Sequence, residues 1–277
     1  GLFGAIRDSK VHDVKIIPDK EVKGNDRIGT VVGYAVDSEI RNVTVKNAAL
    51  NTSGIAGGIA GEISGTVIEN TICDNVIIDA QAGNEVIYIG GVAGIASDSV
   101  IADCDVATGT GNTARIQGTG YTGGIVGFQN STDIYNVHVN GTIGGCHSTA
   151  IGGITGNYVS GKLKVARFEG SIGNSQLGSM AREGTFIGTR QGAATNFNYI
   201  DDVAYLFADS ESKISANVCG SEIADDNDYT YAAHIGYWHS SDLHYTLVQG
   251  GTSKNMTDQY FYEELEDGIL TVMDENE

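Results

Sequence analysis

The chain has 277 residues, 39 of them glycine and one proline, with 41% apolar residues and a net charge of −19. A single proline excludes collagen-like and proline-rich disordered chains, and no apolar run approaches the ~20 residues that span a membrane as a helix. The acidic field repels phosphate, which sets nucleic acid aside as a partner.

The charge is unevenly spread. Residues 1–200 carry 18 Asp/Glu and 14 Lys/Arg, a net of −4, whereas 201–277 carry 17 Asp/Glu against Lys213 and Lys254, a net of −15. That shift predicts a boundary near residue 200, with a solvated acidic surface beyond it. The opening "GLFGAI" has neither a basic start nor a long apolar run, so no signal peptide is expected. Both ends read as cut from a longer protein.

From the N-terminus onward, one glycine-rich signature recurs: "GLFG" ending at Gly4, "GTVVG" at Gly33, "GGIAG" at Gly61, "GGVAG" at Gly94, "GGIVG" at Gly127, "GGITG" at Gly156 and a degraded "GTRQG" at Gly192. A phosphate-cradling loop is written once, so the repetition points to architecture. The spacings are 29, 28, 33, 33, 29 and 36 residues, a period of stacked repeats with loop insertions.

The residues after each mark confirm the frame. Seven positions on stand Val11, Ile40, Ile68, Ile101, Ile134, Leu163 and Tyr199; nine on stand Asp13, Asn42, Asn70, Asp103, Asn136, Val165 and Asp201. Ten on come Val14, Val43, Thr71, Cys104, Val137 and Ala166, and twelve on Ile16, Val45, Cys73, Val106, Val139 and Phe168. Segments such as Asp133–Val139 alternate apolar and polar residues, the pattern of a half-buried strand. The Asn/Asp column suits a left-handed bend, and glycine supplies positive φ at corners or lets backbones approach. The predicted fold is all-β: a right-handed parallel β-helix of about seven coils over residues 1–200, with the apolar columns stacked inside. A β-sandwich would not repeat one residue type at one offset in every row.

"GGIAGEISGTVIENTICDNV", "GGVAGIASDSVIADCDVA" and "GGIVGFQNSTDIYNVHVNGTI" resemble the GLUG motif of bacterial extracellular proteins. "LFGAIRDSKVHDVKI" followed by such rows also resembles the non-catalytic β-helical region of Gram-positive surface metalloproteases of the IgA-protease type. This resemblance implies an extracellular or cell-surface bacterial setting, and it names no activity for the segment.

Beyond Gly192 tyrosine accumulates, and "MTDQYFYEELEDG" predicts a short helix with Thr257 as N-cap, so residues 201–277 are expected to form a cap on the last coil. Tyr229, Tyr231, Tyr237 and Trp238 are the candidate ligand-binding residues, since Tyr and Trp are enriched where proteins grip partners. The expected partners are a host protein, a glycan or neighbouring domains, with no membrane insertion.

No catalytic motif emerges. The six histidines form no HExxH, and His234, His239 and His244 fall at intervals that favour no common face of a strand. Asp201 and Asp202 could supply paired carboxylates for glycoside cleavage, which keeps a carbohydrate-active β-helix enzyme as the alternative reading. The Gly-His-Gly and Arg-Ile-Lys of polygalacturonases are absent, however. Asp225, Asp226 and Asp228 could hold calcium, with a hydrated acidic loop as the plainer reading. The four cysteines show no zinc spacing; Cys73 and Cys104, in aliphatic columns, are expected reduced and buried. No cofactor or catalytic residue is assigned. The favoured function is a non-catalytic binding, spacer or scaffold module of a larger secreted or surface-anchored protein.

Overall fold

The alternating segments after each mark glycine are strands, and they pair with their equivalents one repeat away. A computed structural model describes residues 1–80, 86–109, 115–144, 149–163, 165–172, 182–184 and 186–190, and strands at 204–209, 233–238, 245–249, 252–256, 264–266 and 269–271. The first turn comprises β1 (Phe3–Arg7), β2 (Lys10–Ile16), β3 (Val22–Gly24) and β4 (Arg27–Gly29). The second repeats it as β5 (Val32–Val36), β6 (Glu39–Lys46), β7 (Ala49–Thr52) and β8 (Ile55–Gly57). The third is β9 (Ala60–Ser64), β10 (Val67–Asp74), β11 (Ile77–Ala80) and β12 (Tyr88–Gly90), and the fourth β13 (Ala93–Ser97), β14 (Val100–Ala107), β15 (Arg115–Gly118) and β16 (Tyr121–Gly123). In the fifth, β17 (Val126–Asn130) leads into a long β18 (Thr132–Ile143) and β19 (Ala150–Gly152). Further strands follow: β20 (Thr155–Tyr158), β21 (Gly161–Leu163), β22 (Val165–Ile172), β23 (Arg182–Gly184) and β24 (Ile187–Arg190).

These strands stack into three sheets that wrap a β-solenoid. Sheet A runs β1-β5-β9-β13-β17-β20-β24; sheet B contains β2-β6-β10-β14-β18-β22, with β3, β7, β11 and β15 beside them; sheet C runs β4-β8-β12-β16-β19-β23. Every pairing within these strands is parallel, as expected when each strand meets its counterpart one full turn away. No helix occurs among the described residues, and none there is long and apolar enough to cross a membrane.

The register is the one read from the sequence. Ile68 stands opposite Ile40 on one side and Ile101 on the other, and Ile101 opposite Ile134, which meets Leu163. The second column pairs Val14–Val43–Thr71–Cys104–Val137–Ala166, and the third Ile16–Val45–Cys73–Val106–Val139–Phe168. From the second turn to the sixth these side chains are buried, forming one continuous internal core. Each fully buried aliphatic side chain contributes roughly 1.5–3 kcal/mol, so turns hold one another in place.

The irregular period has a simple origin. Two residues separate β7 from β8, but seven separate β11 from β12; likewise two separate β10 from β11, but seven separate β14 from β15. Each 33-residue row is thus a 28-residue row with five extra residues at one of two connections.

Two sequence expectations need correction. Among the described residues the glycines of the pentapeptides are not at positive φ; that conformation falls on Asp13, Asn42, Asn70, Asp103 and Asn136 at one bend, and on Asp8, Asp37, Gly65, Asp98 and Ser131 at another. The other role read for them, close approach of backbones, is the one that demands the pentapeptide glycines. A Cβ on Gly58 would lie 2.1 Å from the Gly91 carbonyl oxygen, and one on Gly91 2.1 Å from that of Gly124. The seventh row also slips. Its mark, Gly192, puts Asp201 opposite Val165, whereas Tyr205 stands there, on β25 (Ala204–Asp209), and it is Gly188, between Ile187 and Thr189, that stands at the place of Gly156.

β25 extends sheet B and pairs in parallel with β26 (Ala233–Trp238), after which β27 (Tyr245–Gln249) and β28 (Thr252–Met256) continue antiparallel. β29 (Glu264–Glu266) and β30 (Ile269–Thr271) form an antiparallel pair. Residues 257–263 of the expected helix lie outside the described residues, and its last part, Glu264–Glu266, is extended rather than helical.

A hydroxyl column, five positions after each mark glycine, fastens the corner between sheets A and B. The Ser38 hydroxyl accepts the Ser9 N–H, that of Thr66 the Ser38 N–H, that of Ser99 the Thr66 N–H and that of Thr132 the Ser99 N–H, at 3.1–3.3 Å. Each hydroxyl also donates to the carbonyl two residues before it, as Thr66 does to Ser64 at 3.0 Å. Thr66→Val keeps the shape but strands the buried Ser38 N–H, while the Ser64 carbonyl keeps its bond from the Asp37 N–H. It is expected to cost about 1–3 kcal/mol in chemical denaturation, with Thr66→Ser close to the parent; equal stability of both variants would count against the ladder.

Candidate functional site

Sheet B points its alternate residues outward, and the turns bring unlike charges into adjacent rungs. Lys10 meets Glu39 at 3.0 Å, Arg41 pairs with Glu69, and Lys46 meets Asp74 at 2.6 Å. Further along, His138 lies between Asp105 at 3.3 Å and Glu169 at 3.4 Å, and Glu169 is also bound by Arg167. The bend residues add amide rungs: Asn42 donates to Asp13 at 3.0 Å, Asn70 to Asn42 at 2.6 Å and Asn75 to Asn47 at 2.7 Å. Asn42, Asn70 and Asn75 are thereby each both a bend and a link to the turn before.

A shallow depression opens on this face beside the first turn, with His12, Asp13, Glu39 and Arg41 in its lining. The His12 ring lies 2.9 Å from Asp13, and the Asp13 carboxyl is held below the usual carboxylate range by that bond and by the Asn42 amide. A His–Asp pair can move protons, but the lining carries no hydroxyl or thiol for it to activate. Among the described residues, no group of three His, Cys, Asp or Glu side chains is arranged to hold a metal ion.

The edge between sheets C and A is different in kind. Tyr88 and Tyr121, on adjacent rungs of sheet C, stack with ring centroids 5.4 Å apart and planes 12° from parallel. Phe128 of sheet A meets Tyr88 edge-on at 5.0 Å. Toward the N-terminus, Arg27 lies 5.5 Å over the Tyr34 ring and pairs with Glu62. The half-buried rings offer an amphipathic surface of the type that contacts apolar groups or sugar faces. Burial and the neighbouring Tyr121 push the Tyr88 hydroxyl up from its ordinary pKa. The sequence reading missed this cluster, although "YIGG" and "YTGG" place a tyrosine two residues before the paired glycines.

Of the residues expected to bind ligand, Tyr237 and Trp238 lie at the end of β26, their backbones opposite Ala208 and Asp209. Tyr229 and Tyr231 lie outside the described residues, as do Asp201, Asp202, Asp225, Asp226, Asp228, His239 and His244. His234 is on β26, opposite Tyr205.

Cys73 and Cys104 are buried free thiols in the internal columns. Burial pushes both up, Cys104 to about 12 against the pull of its bond from Thr71. Neither thiolate is available in the folded state. Peptides carrying Cys73 and Cys104 should escape alkylation in the native protein and become labelled once it is denatured. Rapid native labelling of either would show the core to be open.

No family model, curated protein or solved structure matches the chain.

Proposed function

We propose that this chain is a non-catalytic scaffold of a larger secreted or surface-anchored bacterial protein, such as a metalloprotease or an adhesin, which docks or spaces a neighbouring domain. The observation that carries the reading is the outward face of sheet B. Its charged side chains are engaged turn to turn, Lys10 with Glu39, Arg41 with Glu69, Lys46 with Asp74 and His138 with Asp105 and Glu169. Side chains fastened to neighbouring rungs serve stacking. The bacterial setting rests on the likeness of the glycine-rich rows to GLUG repeats. In this reading the solenoid is right-handed, continues to about seven coils and is closed by residues 201–277. A host protein, a glycan or a neighbouring domain contacts Tyr229, Tyr231, Tyr237 and Trp238. The acidic surroundings favour neutral or cationic partners.

The deciding experiment screens the chain for turnover of pectin-like, mucin-type and chitin-type glycans and for cleavage of casein and immunoglobulin A, with and without Ca²⁺ and Zn²⁺. No turnover is expected with any of them. Turnover that disappears on Asp201→Asn or Asp202→Asn would replace the scaffold with a carbohydrate-active enzyme.

A further inference from the structure

The corner between sheets C and A carries two outward columns whose make-up changes from turn to turn. Residues directly opposite in parallel strands point to the same side, so each column can be followed along the axis. On sheet C the column holds Arg27, Ile55, Tyr88 and Tyr121 in turn. On sheet A it holds Tyr34, Glu62, Ile95, Phe128 and Asn157. The charges gather at one end, where Arg27 and Glu62 neutralise each other. Beyond them the columns continue through Ile55, Ile95, Tyr88, Phe128 and Tyr121, none of them charged and all partly exposed.

This patch is apolar in outline, yet it holds unmet hydrogen bonds. Tyr88 and Tyr121 stack on neighbouring rungs, and neither hydroxyl has a hydrogen-bond partner among the described residues. Asn157, one rung past Phe128, is 0% exposed, and neither its amide nitrogen nor its amide oxygen is bonded. A buried amide in that state carries a desolvation cost that nothing recovers. An apolar partner would leave all three polar groups stranded. A sugar ring meets both demands, since its C–H face packs on aromatic rings while its hydroxyls donate to and accept from phenols and amides. The net charge of −19 repels acidic polysaccharides. We propose that this corner binds a neutral glycan of the flat, β-linked glucan kind, laid along the solenoid axis against Tyr88, Tyr121 and Phe128. Its hydroxyls bond to the two phenols and to the Asn157 amide. The ligand engages Asn157 by displacing what covers it, and the bonds gained there offset that displacement. The surface is separate from the C-terminal contact proposed above and does not depend on it.

Isothermal titration of the full chain with cellohexaose tests the site. Saturable binding is expected, with none of hexagalacturonate, its acidic counterpart. Tyr121→Ala should weaken binding about tenfold through loss of a ring contact. Tyr88→Phe and Tyr121→Phe keep both rings in the stack, and together they should weaken it at least about fivefold. Asn157→Leu should weaken it about fivefold while the thermal midpoint falls no lower than the parent's, because the change removes an unpaired buried amide. Tyr135→Ala, on the outer side of sheet B, should bind as the parent does. So should Trp238→Ala on β26, which separates this site from the C-terminal one. Absence of cellohexaose binding overturns the proposal. So does binding that withstands Tyr121→Ala, the double phenylalanine change or Asn157→Leu, or that is lost in Trp238→Ala.

Discussion

Gly91→Ala is expected to be severely damaging, although it adds a single methyl group to the middle of this solenoid. The new Cβ would lie 2.1 Å from the Gly124 carbonyl oxygen and 2.7 Å from Cγ1 of Val106. The first neighbour is backbone, and the Gly91 N–H donates to that same carbonyl at 3.1 Å. Relief therefore requires two turns to part at a point where a hydrogen bond joins them. Gly58→Ala would meet the same obstacle one rung away, its Cβ 2.1 Å from the Gly91 carbonyl oxygen. The expected cost is about 4–5 kcal/mol, the range reached by substitutions that force the backbone apart. At about 2–4 °C per kcal/mol, the thermal midpoint should fall by roughly 10 °C or more. Gly4→Ala, where nothing approaches the added Cβ, is the matching control and should change little. A Gly91→Ala protein as stable as the parent would remove close approach as the reason for the paired glycines.

Ile101→Ala is the second large effect. Ile101 is fully buried between Ile68 and Ile134, so truncation leaves a cavity walled by two further isoleucines in fixed register. The expected loss is about 2–5 kcal/mol, read as a lower denaturant midpoint. Because each turn contacts mainly its neighbours, the damage should be local, with hydrogen exchange rising first in β10, β14 and β18. Val11→Ala, in the same column on the first turn, should cost less in this chain, since Val11 is 8% exposed and the smaller side chain. Loss of under about 1 kcal/mol from Ile101→Ala would mean that the column is not the core.

Sheet register was legible because it depends on repetition. An aliphatic residue at one offset in six rows names both its facing and its neighbours, and the pairs Ile40–Ile68–Ile101–Ile134 follow directly. The seventh row was lost where "GTRQG" was marked at its last glycine, whereas its first, Gly188, stands opposite Gly156, and Tyr205 rather than Asp201 meets Val165. Glycine was read for two reasons, positive φ and close approach, and in the pentapeptides only the second holds. A sequence shows that no side chain is tolerated but not whether φ or a facing carbonyl forbids it; at Gly58 and Gly91 it is the carbonyl. The hydroxyl column of Ser9, Ser38, Thr66, Ser99 and Thr132 was equally repetitive, yet Ser and Thr are common enough in loops to pass as ordinary turn residues. The aromatic cluster was harder to see. Tyr88 and Phe128 are 40 residues apart, and they meet from two different sheets.

Stacking in register also fixes how little length each turn provides. Neighbouring strands are about 4.8 Å apart, so the seven strands of sheet A span only roughly 29 Å along the axis. One repeat of about 29 residues, drawn out as a single extended chain, would reach about 100 Å. A solenoid is therefore a poor way to gain distance and an effective way to gain stiff lateral area. Duplicating one repeat would move whatever lies at the far end by a single rung while adding a complete set of side walls. Selection for reach alone would favour a linker, whereas this architecture suits a rigid platform whose height can be adjusted in steps smaller than the width of a side chain.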